Sequence, residues 1–301
     1  MIGFVFPGQG TVRVGMGGWL RREGAAAPVW ECAEELFGES VARLCARGPL
    51  ARLVDTEHAQ PAVTVCNLAG LAVLRARGYE PDIVAGHSVG ELSALCAAGV
   101  LDEAETLRLV ATRSALMAEL PGHGVMSSVL GLPVERVEEL AAESSRPGQP
   151  LVVGLDNARE QVVVSGHPEA LERFAASADG ARSIVALKVG HAFHSPLMAG
   201  AVDAWAEAVR AAPLKPPRLP VVPNVTGEPT TDLGTITDAL IEQLVARVQW
   251  TRTMNELSTV EGCVEVGDSK SLTGMFRTVG VRCVSMSTPA VLRSLPAGGV
   301  R

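Results

Sequence analysis

With 301 residues, 47% of them hydrophobic, the chain is long enough for one large core, alone or carrying an insertion. Glycine, proline and charged residues interrupt its apolar stretches before any reaches the ~20 residues that span a bilayer, which excludes a membrane-crossing helix. A net charge of -7, from 33 acidic and 26 basic side chains without a dense Lys/Arg run, argues against a nucleic-acid partner.

The chain opens on Met1-Ile2-Gly3-Phe4-Val5-Phe6-Pro7, which has neither a basic leader nor a small-residue cleavage site. It reads as a first strand, and a cytoplasmic location is expected. Helical stretches follow at 29–37 and 63–77, a strand at 83–85 and a helix at 89–98, an alternation that predicts an α/β fold with a parallel sheet. Between 102 and 120, Leu107, Val110, Ala111, Ser114 and Met117 recur at spacings of three and four, so Arg113 sits on a helix with one buried face.

From 124 the pattern changes to strand 125–130, helix 133–144, strands 151–154 and 161–165, helix 168–178 and strand 184–189. That βαββαβ order is ferredoxin-like. It predicts a small unit, 124–193, inserted into a large α/β-hydrolase-like catalytic domain made of 1–123 and 194–301. Strands at 219–222 and 263–266 and a helix at 236–245 resume the α/β alternation, after a proline-rich connection through Pro213, Pro216, Pro217, Pro220 and Pro223.

Gly86-His87-Ser88-Val89-Gly90 lies between the strand at 83–85 and the helix after it, the context a nucleophile elbow requires. Small residues are needed there because the turn is tight, and the helix N-terminus favours a developing negative charge. A serine nucleophile needs a base, and the histidines are His58, His87, His123, His167, His191 and His194. His87 adjoins Ser88 but would point away from it in an elbow. His191 and His194 follow the last strand of the inserted unit, where the chain re-enters the large domain and a cleft is expected. Read as a metal pair, they lack a third ligand nearby, and no metal site is expected. The six cysteines (Cys32, Cys45, Cys66, Cys96, Cys263, Cys283) form no Cys-x-x-Cys pair and read as small core residues. Gly8-Gln9-Gly10 lacks the spacing of a phosphate loop, which sets nucleotide binding aside.

Taken together, Phe6-Pro7-Gly8-Gln9-Gly10, Gln60-Pro61, Gly86-His87-Ser88-Val89-Gly90-Glu91, Arg113 with Met117, His191-Ala192-Phe193-His194-Ser195, Asn224-Val225-Thr226-Gly227 and Gln249-Trp250 resemble the malonyl-CoA:acyl carrier protein transacylase family. The likeness runs nearly end to end and is close to the free-standing polyketide synthase acyltransferases. It implies Ser88 as nucleophile, His194 as general base, backbone N–H groups of Gln9 and Val89 as oxyanion hole, and a main-chain carbonyl at Gln249 orienting the base. It implies Arg113 as the bidentate partner of the malonyl carboxylate, with Gln60, His87, Met117, His191 and Phe193 binding substrate. A His194 pKa near neutrality would suit both proton transfers. His191-Ala192-Phe193-His194 and Val89 resemble the malonyl-selective form, with Phe193 filling the space a branch methyl would need; one methyl is worth only ~1–3 kcal/mol.

The likeness departs at Thr11-Val12, where relatives read Ser-Gln, and at Gly267-Asp268-Ser269, where they read Gly-Pro-Gly. It implies no cofactor, the phosphopantetheine being borne by the partner, an acyl carrier protein or a carrier domain of a polyketide synthase. Malonyl-CoA would be the donor. Arg182, Lys188, Lys270 and Arg277 are docking candidates for an acidic carrier. The alternatives are a hydrolase that clears stalled acyl chains, a transferase for an unusual extender unit, and a catalytically silent docking subunit; intact Ser88 and His194 speak against the last.

Overall fold

The computed structural model describes residues 1–37, 40–122, 124–293 and 295, so that His123 and the end of the expected 194–301 unit lie outside the described residues. In chain order, β1 (Ile2–Phe6) is followed by α1 (Ala27–Phe37), α2 (Val41–Arg47), α3 (Leu50–Leu53) and α4 (Thr56–Arg75). Then come β2 (Ile83–Gly86), α5 (Gly90–Ala97) and α6 (Glu103–Ala118), the last started by Asp102, whose carboxylate accepts the Glu105 N–H at 2.8 Å. β3 (Val125–Leu130), α7 (Val134–Ser144), β4 (Leu151–Ala158), β5 (Gln161–Gly166), α8 (Pro168–Ser177) and β6 (Ser183–Ala186) make the second unit. α9 (Val202–Ala211), β7 (Val221–Val222), α10 (Leu233–Glu242), α11 (Trp250–Glu256), β8 (Gly262–Glu265), α12 (Ser271–Phe276) and β9 (Cys283–Ser285) complete the chain.

The strands form two sheets. One is parallel, ordered β7-β2-β1-β8-β9; the other is antiparallel, ordered β4-β5-β3-β6, the arrangement of a ferredoxin-like unit. In the parallel sheet Phe4, Val5, Phe6, Val84 and Ala85 are buried, as expected of strands covered by helices on both faces. α4 is buried along nearly its whole length and packs against α1, α5 and α6. The register places Phe6 opposite Gly86, so the loops leaving the carboxyl ends of β1 and β2 start side by side. Open parallel sheets bind their ligands beyond these ends.

The antiparallel sheet faces two ways. Val162 and Val164 pack with Val137, Leu140 and Phe174 under α7 and α8, whereas Val163 between them belongs to the main core. In β4 the pairing slips between Val153 and Leu155, and this bulge at Gly154 reverses the facing of the residues beyond it. Val153 lies under the helices; Leu155 joins the main core. The sequence pattern predicts a strand ending at 154, because the polar Asp156 and Asn157 look like a turn once the alternation is broken. Other departures are similar in kind. α4 begins at Thr56 and not 63, with Pro61 inside it, and the strand expected at 184–189 stops at Ala186.

Candidate active site

The elbow is built from its glycines outward. A side chain at Gly86 would collide with the Gly90 carbonyl, and one at Gly90 with the Phe6 carbonyl, so β2, the turn and α5 close up only because both positions lack a Cβ. Ser88 sits at the apex with a positive φ of 52°, a left-handed conformation uncommon outside glycine. Asn224 holds it there. Its side-chain oxygen accepts the Ser88 N–H at 2.7 Å, its amide donates to the Gly86 carbonyl at 2.5 Å, and its own N–H donates to Glu91 Oε2 at 3.1 Å.

His194, the other residue of the pair, also has a positive φ, 58°. Its loop is pinned by the His194 N–H donating to the Leu244 carbonyl at 3.1 Å and by Ser165 Oγ donating to the Phe193 carbonyl at 2.6 Å. Nε2 lies 2.8 Å from Ser88 Oγ, and Nδ1 lies 2.8 Å from the carbonyl oxygen of Gln243. A carbonyl only accepts, so Nδ1 carries the proton and the Nε2 lone pair faces the hydroxyl. The orienting carbonyl therefore belongs to Gln243 and not to Gln249. Gln249 is the residue before α11, its N–H donating to the Asn224 carbonyl at 2.8 Å and its carbonyl accepting from Thr253. The substitution has a local reason: α10 ends at Glu242, and a chain leaving a helix has unpaired carbonyls to offer.

Burial, then the Arg113 guanidinium, lower the His194 pKa to about 3, well below the near-neutral value expected from the sequence. The imidazole is accordingly neutral and able to accept a proton. With Asn224 occupying the Ser88 N–H, the next one along, that of Val89 before α5, has no acceptor among the described residues. It points out of a helix start toward which negative charge is drawn.

These groups open into a cavity of about 240 Å³ lined by Gln9, Gln60, His87, Ser88, Arg113, Met117, Phe193 and His194, and by Met126, Leu155, Asn157 and Val163 of the antiparallel sheet. Gln9 stands in the loop after β1, with its side-chain amide bonded to Thr56 at 2.8 Å. Arg113 is buried on α6. Nη1 donates to Gln60 Oε1 at 2.6 Å and Nη2 to Gln243 Oε1 at 2.9 Å, while Nε has no partner among the described residues. Burial lowers its pKa to about 10, which leaves it a cation at neutral pH; Glu91 opposes the shift. Met117, one turn on, accepts a weak bond from Gln60 Nε2 at 3.5 Å.

His87 does turn from Ser88: its Nε2 bonds Asn157 Oδ1 at 2.7 Å and its ring meets the edge of Trp250. His191 does not line this cavity. It sits beyond Phe193, ring centroids 6.2 Å apart, in a separate surface groove with Asp55 and Lys188. Of the two departures, Thr11 is on the cavity rim with its hydroxyl bonded to the Gly8 carbonyl, and Asp268 takes the Gly17 N–H at 2.7 Å and the Arg13 guanidinium.

The sequence pattern assigns no role to Asn224, Gln243, Glu91 or Asn157. Asn224 and Glu91 stand inside the motifs that carry the resemblance, and a polar residue flanked by strand or helix signals is a cue to a buried hydrogen-bonding duty. Gln243 lies inside the helix pattern at 236–245, where nothing distinguishes a surface amide from a buried one. The carboxyl of Glu91 is fully buried. Its pKa is raised to about 7 by burial, against the donors Asn224 and Gln243, and its Oε1 has no partner among the described residues.

Residues 3–270 match the acyl transferase domain family. The chain is 38% identical over 276 residues to the malonyl CoA-acyl carrier protein transacylase of Synechocystis sp., covering 91% of this chain and 92% of that one. It is 35% identical to the polyketide biosynthesis malonyl CoA-acyl carrier protein transacylase PksC of Bacillus subtilis, over 93% and 97%. A solved structure of a malonyl-transacylase in complex with its type II polyketide synthase acyl-carrier protein superposes with a TM-score of 0.92 at 32% identity, covering 97% and 98% of the two chains. On this likeness in sequence and in fold, the chain belongs to the acyl transferase domain family.

Proposed function

We propose that the chain is a malonyl-CoA:acyl carrier protein transacylase of fatty acid or polyketide synthesis, working through a malonyl-Ser88 intermediate. The observation that carries this reading is a buried, charged Arg113 in the same cavity as the Ser88–His194 pair. The guanidinium bonds only the neutral amides of Gln60 and Gln243, with the Glu91 carboxyl reaching it through Gln243, and a malonyl group brings a carboxylate to pair with it directly while an acetyl group does not.

In the first half-reaction Ser88 Oγ attacks the thioester carbon as its proton passes to His194 Nε2, and the N–H groups of Val89 and Gln9 receive the oxyanion. The Gln243 carbonyl keeps Nδ1 protonated and steadies the imidazolium. Collapse breaks the carbon–sulfur bond, and His194 returns the proton to the departing coenzyme A thiol. In the second half-reaction the phosphopantetheine thiol of the carrier gives its proton to His194 and attacks the malonyl ester, and Ser88 leaves reprotonated. A malonyl carboxylate on Arg113 also cancels part of the charge that depresses His194, so the proper substrate raises the basicity of its own base. Phe193 and Met117 bound the space next to the acyl chain.

No cofactor enters this scheme, and it belongs in the cytoplasm, where coenzyme A thioesters and carriers meet. Residues 124–193 act as an inserted unit that lends one wall of the cavity to the domain made of 1–123 and 194–301.

Intact-protein mass spectrometry after incubation with malonyl-CoA tests the reading. A malonyl adduct is expected on the native chain and none on Ser88→Ala, while Arg113→Ala should lose malonyl acylation by roughly 10²-fold or more with acetyl little changed. Equal labelling by acetyl-CoA and malonyl-CoA in the native chain would remove the role of Arg113, and rapid discharge to water without a carrier would favour the hydrolase.

A further inference from the structure

Gln243 touches all three parts of the site. Its carbonyl accepts from His194 Nδ1, its side-chain oxygen accepts from Arg113 Nη2, and its side-chain nitrogen donates to Glu91 Oε2 at 2.6 Å and to the Ser88 carbonyl at 3.2 Å. The nitrogen also lies 3.5 Å from Asn224 Oδ1. An amide has one oxygen and two N–H groups, and here the environment leaves no choice between them. Reversed, the NH₂ would meet the guanidinium and the oxygen would meet the Glu91 carboxyl. The side chain is buried, and it therefore has one orientation.

We propose that the Gln243 side chain is a specificity-determining positioning residue that ties the acyl-carboxylate pocket at Arg113 to the Ser88 elbow and to the base. The proposal rests on the malonyl-transfer reading above. When a carboxylate draws on the guanidinium, the load passes through Nη2 to the Gln243 amide, and through the same residue to the Ser88 carbonyl and to His194. A neutral acyl group makes no such demand. The carboxylated acyl chain is thus both held and aligned with its nucleophile, whereas an uncharged one is neither.

The side chain and the carbonyl of Gln243 are separable by mutation, because every substitution keeps the carbonyl that orients His194. In Gln243→Met the amide is replaced by a chain of similar length without strong donors or acceptors; in Gln243→Glu one oxygen of the new carboxylate pairs with Arg113 and competes with the substrate, while the other takes the place of the amide nitrogen and shares a proton with the Glu91 carboxyl. Rate constants for adduct formation from malonyl-CoA and from acetyl-CoA are measured on the full chain by quenched-flow mass spectrometry, and the quantity read is their ratio. Loss of folded protein lowers both rates alike and cancels in that ratio. The expected result is a malonyl-to-acetyl ratio reduced at least about tenfold in both variants, and most in Gln243→Glu. Proportional loss of both rates, or an unchanged ratio, would show a merely structural side chain and overturn the proposal. Absence of a malonyl adduct on the native chain would instead overturn the malonyl-transfer reading itself, so the two failures are told apart.

Discussion

An imidazole in water takes up a proton near pH 6.5, but burial first and the Arg113 guanidinium second hold His194 at about 3, with a smaller push from His87. Acylation needs the neutral ring, and kcat/KM reports the free enzyme. With the folded pKa below the ordinary value, neutral His194 persists as pH falls through 6.5, so kcat/KM for malonyl-CoA should show no histidine limb between pH 7 and 5. Glu91, raised to about 7, titrates in that window, and Glu91→Gln separates the two groups. A limb near 6.5 that survives Glu91→Gln would mean that His194 is not held low. Among single residues, Ser88 was marked by the spacing of its elbow motif, and His194 and Arg113 by the family resemblance; the fold brings all three to one cavity. The carbonyl that orients the base was not legible in the sequence, because any residue has one. Only the turn of chain after α10 decides that it is Gln243 and not Gln249 that reaches Nδ1.

The elbow is an element whose geometry depends on two missing side chains. Gly90→Ala would drive a methyl into the Phe6 carbonyl of the neighbouring β1 and the Pro7 carbonyl after it, where backbone cannot move without displacing the loop that carries Gln9. The expected result is a loss of about 2–4 kcal/mol in urea unfolding, and near-complete loss of the malonyl adduct even in protein that remains folded. A variant as stable and as readily acylated as the native chain would refute the close approach of α5 to β1. Elements with a regular period were legible: β1, β2, α6 and the βαββαβ order follow directly from apolar spacing. Those that break period were not. The bulge at Gly154 hides the second half of β4, and α12 and β9 are too short for periodicity to speak. The bulge matters to the site, since it turns Leu155 and Asn157 toward the cavity.

At the scale of the molecule, the transfer proposed above asks a chain of net charge -7 to receive a carrier protein expected to be acidic. Long-range repulsion then opposes the encounter, and attraction has to come from cations near the cavity mouth. Lys188 lies exposed between Leu187 and Val189, and Lys270 lies exposed just before Ser271 and Leu272; all four neighbours line the cavity, the first two from the antiparallel sheet's side and the others from the parallel sheet's. Arg277 follows α12, whose Met275 lines the cavity as well, whereas Arg182 stands beside Gly131 at the end of β3, paired with Glu160. Lys188, in the groove with His191, and Lys270, in the groove with Arg13 and Asp268, are thus chain neighbours of the cavity lining on its two sides, and they are the cations expected to meet the carrier under the proposed transfer. Raising salt from about 0.05 to 0.3 M shortens the Debye length from roughly 14 Å to 6 Å and should slow discharge of malonyl-Ser88 onto the carrier several-fold, through the carrier's KM. The pair Lys188→Glu with Lys270→Glu should cost about tenfold in kcat/KM for the carrier. A small uncharged acceptor such as N-acetylcysteamine has no protein surface to dock, and its discharge rate should not respond to either change. Equal losses with both acceptors would place the effect in the chemistry and not in the encounter, and would move the docking surface away from these two lysines.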